Sequence, residues 1–276
     1  MAIPTFVLMI IFPDCKINLG LHILYKREDN YHEVETVMYP IPLQDILEIV
    51  PSDELIFTST GLEIPGNPEN NLCLKAYELL KKLHDIPPVH IHLHKIIPMG
   101  GGLGGGSSNG AFTLILLNNL FELDLSLQEL KIEAAKLGSD CAFFIENTPQ
   151  LCTGRGEITA PIEFSLADFF IKIINLGIHV STAEAYSGVI PKAPQRPILE
   201  VLSQDITEWK GLLINDFEPG IFNNHPELAV AKNKLLEEGA LYASMTGSGS
   251  TLYGIYARRP EKSFLDIPVE VVFPLS

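Results

Sequence analysis

The chain has 276 residues, and its composition and charge already exclude several classes of protein. Hydrophobic residues make up 46% and charged residues 19%, a balance typical of a globular protein with one large or two medium domains. The 34 acidic residues outnumber the 19 basic ones, and the formal charge of −15 disfavours non-specific binding to nucleic acid. The same charge repels phosphates at long range, so a phosphate ligand would need local devices such as helix N-termini, a few lysines and a divalent cation.

The N-terminus and the cysteines predict a cytoplasmic protein. The apolar stretch Phe6–Phe12 is too short to span a bilayer and lacks a basic leader and a small-residue cleavage site. The sequence leaves open whether Met1–Leu8 is native or ordered, since Met9 could be the true start. The four cysteines form no CxxC pair and are expected to be small buried apolar residues without disulfides. They are Cys15, Cys73, Cys141 and Cys152.

The first sixty residues predict β-structure, with a polar turn at Lys26–Asn30. The loop Pro65–Asn71 follows, and then a helical pattern over Leu72–His84. Strict alternation of apolar and polar residues predicts a further strand at Val89–Lys95. The strands expected in the first sixty residues are Lys16–Tyr25, His32–Ile41, Ile46–Val50 and Glu54–Ser59.

The most informative segment is 98–108, Pro-Met-Gly-Gly-Gly-Leu-Gly-Gly-Gly-Ser-Ser. Six of the seven residues from Gly100 to Gly106 are glycine, so the backbone can adopt positive φ and approach a ligand closely. The apolar run Asn109–Leu120 that follows has the length of a buried helix. A glycine loop that begins a helix directs unpaired N–H groups and the helix dipole at one point. This arrangement predicts an anion site, most often for phosphate.

Three other interpretations of this loop are weaker. The spacing Gly101-x4-Gly106 fits half of a Walker A loop, but Ser107 stands where that loop requires lysine. The pattern Gly100-x-Gly102-x-x-Gly105 fits a dinucleotide fingerprint, which requires a second strand ending near Glu122 or Asp124, where the sequence predicts helix. A turn without a ligand would leave the entropic cost of six glycines without compensation.

The second half of the chain predicts mixed strands and helices, with a domain boundary near residue 150. Ser126 and Glu129 form a capping box that begins a helix, and Gly138 ends it. The short apolar run Cys141–Ile145 predicts a strand. The remaining expected elements are the strand Phe170–Leu176, a helix begun by Ser181 with Glu184, the loop Thr246–Thr251 and the strand Leu252–Tyr256.

Three separated segments together resemble the superfamily of galactokinase, homoserine, mevalonate and phosphomevalonate kinases. They are Cys15–Leu19, the loop Pro98–Ser108 and the loop Thr246–Thr251, in matching order over essentially the whole chain. The resemblance implies an α+β, two-lobed small-molecule kinase fold. A β-rich N-terminal ATP-binding lobe (1–150) and a smaller α+β C-terminal lobe (151–276) would flank the active site in a cleft. Gly110 departs from the superfamily pattern, which usually has alanine there.

Finer details resemble the members of this superfamily that phosphorylate a cytidine-diphosphate-linked methylerythritol in the non-mevalonate isoprenoid pathway. The details are the doubled glycine triplet, Tyr31-His32, Leu137–Asp140 and Val180–Tyr186. The resemblance implies ATP-dependent phosphorylation of the substrate's 2-hydroxyl, with Mg²⁺. The ATP-binding residues it implies are Pro98, Met99, Gly100, Gly101, Gly102, Leu103, Gly104, Gly105, Gly106, Ser107 and Ser108, with Ser108 also as a magnesium ligand.

The reacting groups also follow from the resemblance. Asp140 by itself would be interpreted as a turn residue, but it matches the superfamily's catalytic aspartate, a general base toward the sugar hydroxyl. Lys16 would pair with Asp140 and lower the pKa of the acceptor hydroxyl. Asn18, two residues along the same strand face, could hydrogen-bond the substrate. Tyr31 and His32 supply a stacking face and edge hydrogen bonds for cytosine.

Other interpretations of the chain remain open. A homoserine-type or mevalonate-type kinase would not need the Tyr31-His32 pair, and a non-catalytic nucleotide-binding module would not need Lys16 and Asp140. A dinucleotide-dependent oxidoreductase is a remote third. His90, His92 and His94 share one strand face, but no further ligand at metal-site spacing accompanies them, so a solvated face is expected.

Overall fold

The structure, a computed structural model, describes residues 9–261 and 268–275. The question about Met1–Leu8 therefore falls outside the described residues. The strands are β1 (Met9–Ile11), β2 (Asp14–Lys26), β3 (His32–Gln44), β4 (Ile46–Pro51), β5 (Ile56–Gly61), β6 (Val89–Lys95), β7 (Gln150–Thr153), β8 (Ile158–Pro161), β9 (Phe170–Asn175), β10 (Tyr242–Met245), β11 (Leu252–Tyr256) and β12 (Val269–Pro274). The α-helices are α1 (Leu72–His84), α2 (Gly105–Leu120), α3 (Leu127–Leu137), α4 (Cys141–Glu146), α5 (Thr182–Ser187), α6 (Ile198–Leu202), α7 (Glu218–Asn224) and α8 (Pro226–Glu237).

The described residues pack into two compact units, each assembled from several segments of the chain. Unit 1 comprises residues 9–15, 43–99 and 104–148. Unit 2 comprises residues 16–42, 100–103, 149–261 and 268–275. The division of the chain into contiguous lobes at residue 150 stays a prediction.

Unit 1 contains a four-stranded sheet in the order β1-β4-β6-β5, in which only β5 and β6 are parallel. In β6 the apolar residues are buried and the histidines half-buried, as the alternating pattern predicts. The helix α1 begins at Asn71, whose side chain accepts the N–H of Cys73 at 2.9 Å. At Gly110 the helices α1 and α2 approach closely, because a Cβ there would lie 2.9 Å from Leu72 Cβ.

The predicted strand at Cys141–Ile145 is wrong, because these residues form the helix α4. All five are buried, and a continuous apolar run of this length does not distinguish strand from helix. The helix before it agrees with the sequence. Ser126 and Glu129 exchange both hydrogen bonds of a capping box, and α3 ends at Gly138.

Unit 2 contains two sheets. One has the order β10-β11-β9-β12 and is antiparallel throughout, and the other has the order β2-β3-β7-β8. Buried residues of β2, β9, β10 and β11 form an apolar core with α7 and α8. The predicted start of α5 is confirmed, since Ser181 Oγ accepts the N–H of Glu184 at 3.1 Å.

The four cysteines are buried and free of disulfides, as expected. Each helix in the described part of the chain is too short or too polar to cross a membrane.

Candidate active site

The glycine loop adopts the conformation that its composition predicts. Gly100, Gly102 and Gly104 have φ values of 69°, 79° and 70°, in the left-handed region that side chains with a Cβ rarely adopt. Gly104 is the residue before α2, which begins at Gly105. The N–H groups of the first turn of α2 therefore lack partners within the helix, as an anion site requires.

Two serines of this first turn lie in different surroundings. Ser108 is fully buried, and its Oγ has no hydrogen-bond partner among the described residues. Ser107 shares a hydrogen bond with the thiol of Cys141. Burial raises the pKa of the Cys141 thiol to about 12, so this contact involves a neutral thiol. Of the two hydroxyls, that of Ser108 is thus the one without a hydrogen-bond partner among the described residues.

Asp140 immediately precedes α4 and is half-buried. An aspartate at this position commonly caps the helix, but the Asp140 side chain makes no capping hydrogen bond. Its neighbour Cys141 contacts Ser107, so within unit 1 the segment carrying Asp140 lies beside the first turn of α2. The two segments are brought together although more than thirty positions separate them in sequence.

A cavity of about 470 Å³ in unit 1 borders the glycine loop. Met99 and Gly106 of the loop region line it, together with apolar side chains such as Phe57, Leu72 and Leu93. A largely apolar cavity of this size suits a small organic ligand, with the helix N-terminus as the polar end. No sequence pattern indicated this cavity, because its walls come from separate segments: β5, β6 and the loop before α1.

A buried ion pair fixes the backbone on both sides of the glycine loop within unit 1. Lys95 at the end of β6 donates to the carboxylate of Asp45, and both side chains are completely buried. The same carboxylate accepts the N–H groups of Ile96 and Ile97 at 2.6 and 2.8 Å and the Asn109 amide at 2.8 Å. Burial lowers the pKa of Lys95, and the Asp45 carboxylate opposes this shift. Sequence reasoning missed Asp45, since it lies fifty positions before Lys95.

In unit 2, Lys16 is buried within a network of polar side chains. Its Nζ donates to Asn18 Oδ1 at 2.6 Å and to the Gly102 carbonyl at 2.9 Å. Asn18 also donates to Thr36 Oγ1 at 3.0 Å and accepts from Thr246 Oγ1 at 3.1 Å. Three predicted site residues, Lys16, Asn18 and Gly102, are thus brought together. The side chain of Asn18 is committed to holding Lys16.

The late loop Thr246–Thr251 holds the first half of the glycine loop. The N–H of Thr251 donates to the Gly101 carbonyl at 3.2 Å, and Thr246 Oγ1 donates to the Gly102 carbonyl at 3.2 Å. A Cβ on Gly102 would collide with the backbone of Thr246. The sequence marks this loop as a motif but does not give it the role of an anchor.

The predicted base-binding residues lie on an aromatic surface of unit 2. Tyr31 is 56% exposed, and the Arg155 guanidinium lies 4.9 Å from its ring centroid. His32 stacks on Tyr186 with ring centroids 4.8 Å apart and 23° between the planes. Tyr186 packs edge-on against Phe217 at 4.9 Å. Sequence reasoning singled out the segment of Tyr186 without assigning this residue a role.

The histidines of β6 contact hydroxyls of the neighbouring strand. Thr58 Oγ1 lies 2.8 Å from both His90 Nε2 and His92 Nδ1, and Thr60 Oγ1 lies 2.9 Å from His94 Nδ1. Within the described ranges, no group of three or more His, Cys, Asp or Glu side chains could hold a metal ion.

Lys16 and Asp140 belong to different units. Their pairing, and the direct contact of Asn18 with substrate, stay predictions.

Comparisons with known proteins agree on one family. The model of the N-terminal domain of the galactokinase, homoserine, mevalonate and phosphomevalonate (GHMP) kinases matches residues 71–147, and that of their C-terminal domain matches residues 198–265. A 4-diphosphocytidyl-2-C-methyl-D-erythritol kinase of Cytophaga hutchinsonii is 51% identical over 92% of this chain and 94% of its own.

Solved structures agree with this result. A crystal structure of 4-(cytidine 5'-diphospho)-2C-methyl-D-erythritol kinase superposes with a TM-score of 0.77 at 30% identity over 89% of both chains. The mevalonate kinase of Methanococcus jannaschii superposes with a TM-score of 0.63 over 90% of both chains. At 15% identity, this second likeness concerns the fold alone.

Proposed function

The chain belongs to the family of 4-diphosphocytidyl-2-C-methyl-D-erythritol kinases, and from that premise we propose that it transfers the γ-phosphate of ATP to the 2-hydroxyl of that cytidine diphosphate substrate. The reaction would supply isoprenoid precursors by the non-mevalonate route. A cytoplasmic location is part of the proposal. The observation that carries the kinase chemistry is the buried, unpartnered Ser108 hydroxyl in the first turn of the helix that follows the glycine loop.

The ATP site of the proposal lies in unit 1. The triphosphate would lie against the first turn of α2, where unpaired N–H groups and the helix dipole favour negative charge. The adjoining apolar cavity of about 470 Å³ would receive the nucleoside. Met99 and Gly106 border both places, which supports one continuous site for both parts of ATP.

The donor chemistry around the loop suits Mg²⁺. The buried Oγ of Ser108 is a neutral oxygen ligand with no competing hydrogen bond from the described residues. Magnesium takes oxygen ligands, keeps several waters and usually binds through substrate phosphates. When bound, it would neutralise charge on the phosphates.

The chain's own residues would align and deprotonate the acceptor. In the transfer, the bond from the γ-phosphorus to the bridging oxygen of ATP breaks, and the 2-hydroxyl oxygen forms the new bond. We assign Asp140 as the acceptor of the hydroxyl proton, a role supported by its position directly before α4, in the segment that lies beside the first turn of α2 within unit 1. Lys16 would supply positive charge near the reacting oxygen, and Asn18 would position Lys16.

The aromatic surface of unit 2 would bind cytosine. Tyr31 presents an exposed ring for stacking, and His32 offers ring nitrogens to the edge of the base. We add Tyr186 to this set, because its stacking on His32 fixes the orientation of the imidazole.

The test is an ADP-release assay with the cytidine diphosphate substrate, homoserine and mevalonate as acceptors. We expect turnover with the first alone. Tyr31→Ala should raise the KM for this substrate by roughly fivefold to more than a hundredfold, which corresponds to the range of about 1–3 kcal/mol for a stacked base. The KM for ATP should change little.

Tyr25→Ala is the matched control, because Tyr25 is 55% exposed and lies in the same unit. It should leave both KM values near those of the wild type. Turnover of homoserine or mevalonate instead would refute the cytidine diphosphate substrate and leave only the assignment to a kinase of the superfamily. If no acceptor led to ATP consumption, the proposed kinase activity itself would be refuted.

A further inference from the structure

A small cavity in unit 2 lies apart from all the groups assigned above. Its volume is about 110 Å³, enough for several waters or a small anion. His22, Lys192, Gln195 and Arg196 are among the residues that line it. No described Asp or Glu lines the cavity, although acidic residues outnumber basic ones 34 to 19 in the chain. The wall is therefore cationic in a strongly acidic protein.

His22 is a buried polar side chain whose Nδ1 lacks a hydrogen-bond partner among the described residues. The residue is 2% exposed. The closest acidic atom is Asp216 Oδ2 at 3.6 Å, too far for a hydrogen bond, and that oxygen accepts the N–H of Ile23 instead. Buried polar groups in native proteins are nearly always satisfied, and among the described residues Nδ1 has only the Asp216 carboxylate beside it, while the residue itself lines the cavity.

Backbone hydrogen bonds hold the cavity walls on both sides of His22. The N–H of Leu21 donates to the Ile214 carbonyl at 2.8 Å, and the N–H of Lys192 donates to the Ile23 carbonyl at 2.9 Å. The two segments that line the cavity are thereby attached to β2 immediately before and after the histidine. The site is preformed.

The two long cations on the wall are available to a ligand. Lys192 and Arg196 are exposed, and neither forms an ion pair with a residue that the structure describes. Unneutralised cations next to a cavity raise the local concentration of anions even when the net charge is negative. A guanidinium can also bind two oxygens of one phosphate.

The cavity faces away from the proposed substrate surface. Leu21 and Ile23 point into the apolar core of unit 2, against which Tyr186 packs. Because successive side chains of a strand point to opposite faces, His22 points away from that core. Tyr186, on which His32 stacks, and the cavity thus lie on different faces of β2.

We propose that this cavity is a second ligand site that binds a small oxyanion of the phosphate class, held by His22, Lys192 and Arg196. The site goes beyond the proposed kinase function and does not depend on it. Free phosphate and the phosphate group of a metabolite share this chemistry.

The test follows the His22 ring by NMR in the full chain with labelled histidine. The chain has eight histidines, and the His22→Gln spectrum identifies the His22 signals. The probe is inorganic phosphate, titrated at constant ionic strength. We expect a saturable shift of the His22 signals. Lys192→Gln and Arg196→Gln should each raise Kd by roughly fivefold, which corresponds to about 1 kcal/mol for charges about 4 Å apart in water.

Arg258→Gln removes an exposed charge outside the cavity and should leave Kd unchanged. Glycerol phosphate in a second titration separates the sources: comparable binding indicates a metabolite phosphate, and weaker binding indicates the free ion. Absence of a saturable shift, an equal shift with chloride, or an unchanged Kd in the double variant Lys192→Gln/Arg196→Gln would overturn the proposal. Because the readout is the His22 ring, failure of the kinase assay would not affect this result.

Discussion

Lys95 in unit 1 and Lys16 in unit 2 are both buried, and within its own unit each donates to a different kind of oxygen. Lys95 donates to the carboxylate of Asp45, which also binds three further donors. Within its unit, Lys16 donates to the side-chain oxygen of Asn18 and to the carbonyl of Gly102. A carboxylate places an opposite full charge beside an ammonium, whereas an amide or carbonyl oxygen contributes a partial charge and fixes the direction of the bond.

The comparison separates two uses of a buried cation next to the same loop. The pair of Lys95 and Asp45 connects the end of β6 to α2 and serves the fold. The network around Lys16 orients its ammonium group beside the Gly102 carbonyl within unit 2. Variants of the two lysines should therefore fail in different measurements.

The largest effect is expected for Lys95→Met. This change leaves the Asp45 carboxylate buried without its cation, and breaking a buried pair costs about 3–5 kcal/mol. Chemical denaturation should show this loss in the free energy of unfolding. The double variant Asp45→Asn/Lys95→Met should recover part of it. A loss below about 1 kcal/mol would contradict the structural role of the pair.

Lys16→Met should affect turnover instead. We expect kcat to fall by about two orders of magnitude or more, with a much smaller change in ATP affinity. Asp140→Asn should do the same, and the double variant should be far from additive if the two act together. The control is Lys172→Met, which removes a buried lysine paired with Glu238 and Glu270 and should reduce stability but not kcat. Near wild-type turnover of Asp140→Asn would refute its role as base.

Cys141 extends the comparison of the two buried lysines to a buried titratable group that is neutral. Burial raises its pKa from 9.0 to about 12, so above pH 9 the unfolded chain releases this proton while the folded chain keeps it. The contribution of the Cys141 thiol to the free energy of unfolding is therefore complete below pH 9. Between pH 9 and the raised pKa it falls by about 1.4 kcal/mol per pH unit. Denaturation at several pH values should show a shallower alkaline decline for Cys141→Ala. Equal slopes in both proteins would argue against a raised pKa.

The smallest effect is expected for Thr246→Val, which tests the neutral oxygens around Lys16. The variant keeps the shape but removes the hydroxyl bonds to Asn18 and Gly102. A net loss of about 0.5–1.5 kcal/mol corresponds to a fall in kcat of roughly twofold to tenfold. Thr58→Val is the control on the sheet of unit 1 and should leave kcat unchanged. A larger effect in the control than in Thr246→Val would contradict this role.

Local patterns predicted much of the fold. The bounds of α1, β6 and β11 agree with the sequence, because caps and regular spacing are local signals. The prediction of a strand at Cys141–Ile145 was wrong, because five consecutive apolar residues show no periodicity that distinguishes strand from helix. These residues form a helix, and Asp140 is the residue directly before its first turn.

The sequence predicted the site residues that belong to short motifs. It did not predict those that depend on contacts between residues far apart in the chain. The glycine loop and Lys16 follow from short motifs. Asp45 is a single acid between two strands, and its partners lie fifty or more residues later. The bond from Thr246 to Gly102 joins residues 144 positions apart, and no local pattern encodes such a contact.

The division of the described residues into two units has a practical consequence for the design of truncated variants. The backbone passes from one unit to the other after residues 15, 42, 99, 103 and 148, twice within the glycine loop itself. A fragment ending near residue 148 would include strands that pack in the other unit, and the remaining fragment would lack them. Since an independently folding piece needs its complete core, neither half should yield a stable protein when expressed alone. A truncation would thus disrupt both units at once, and the role of a single unit is better tested by point substitutions.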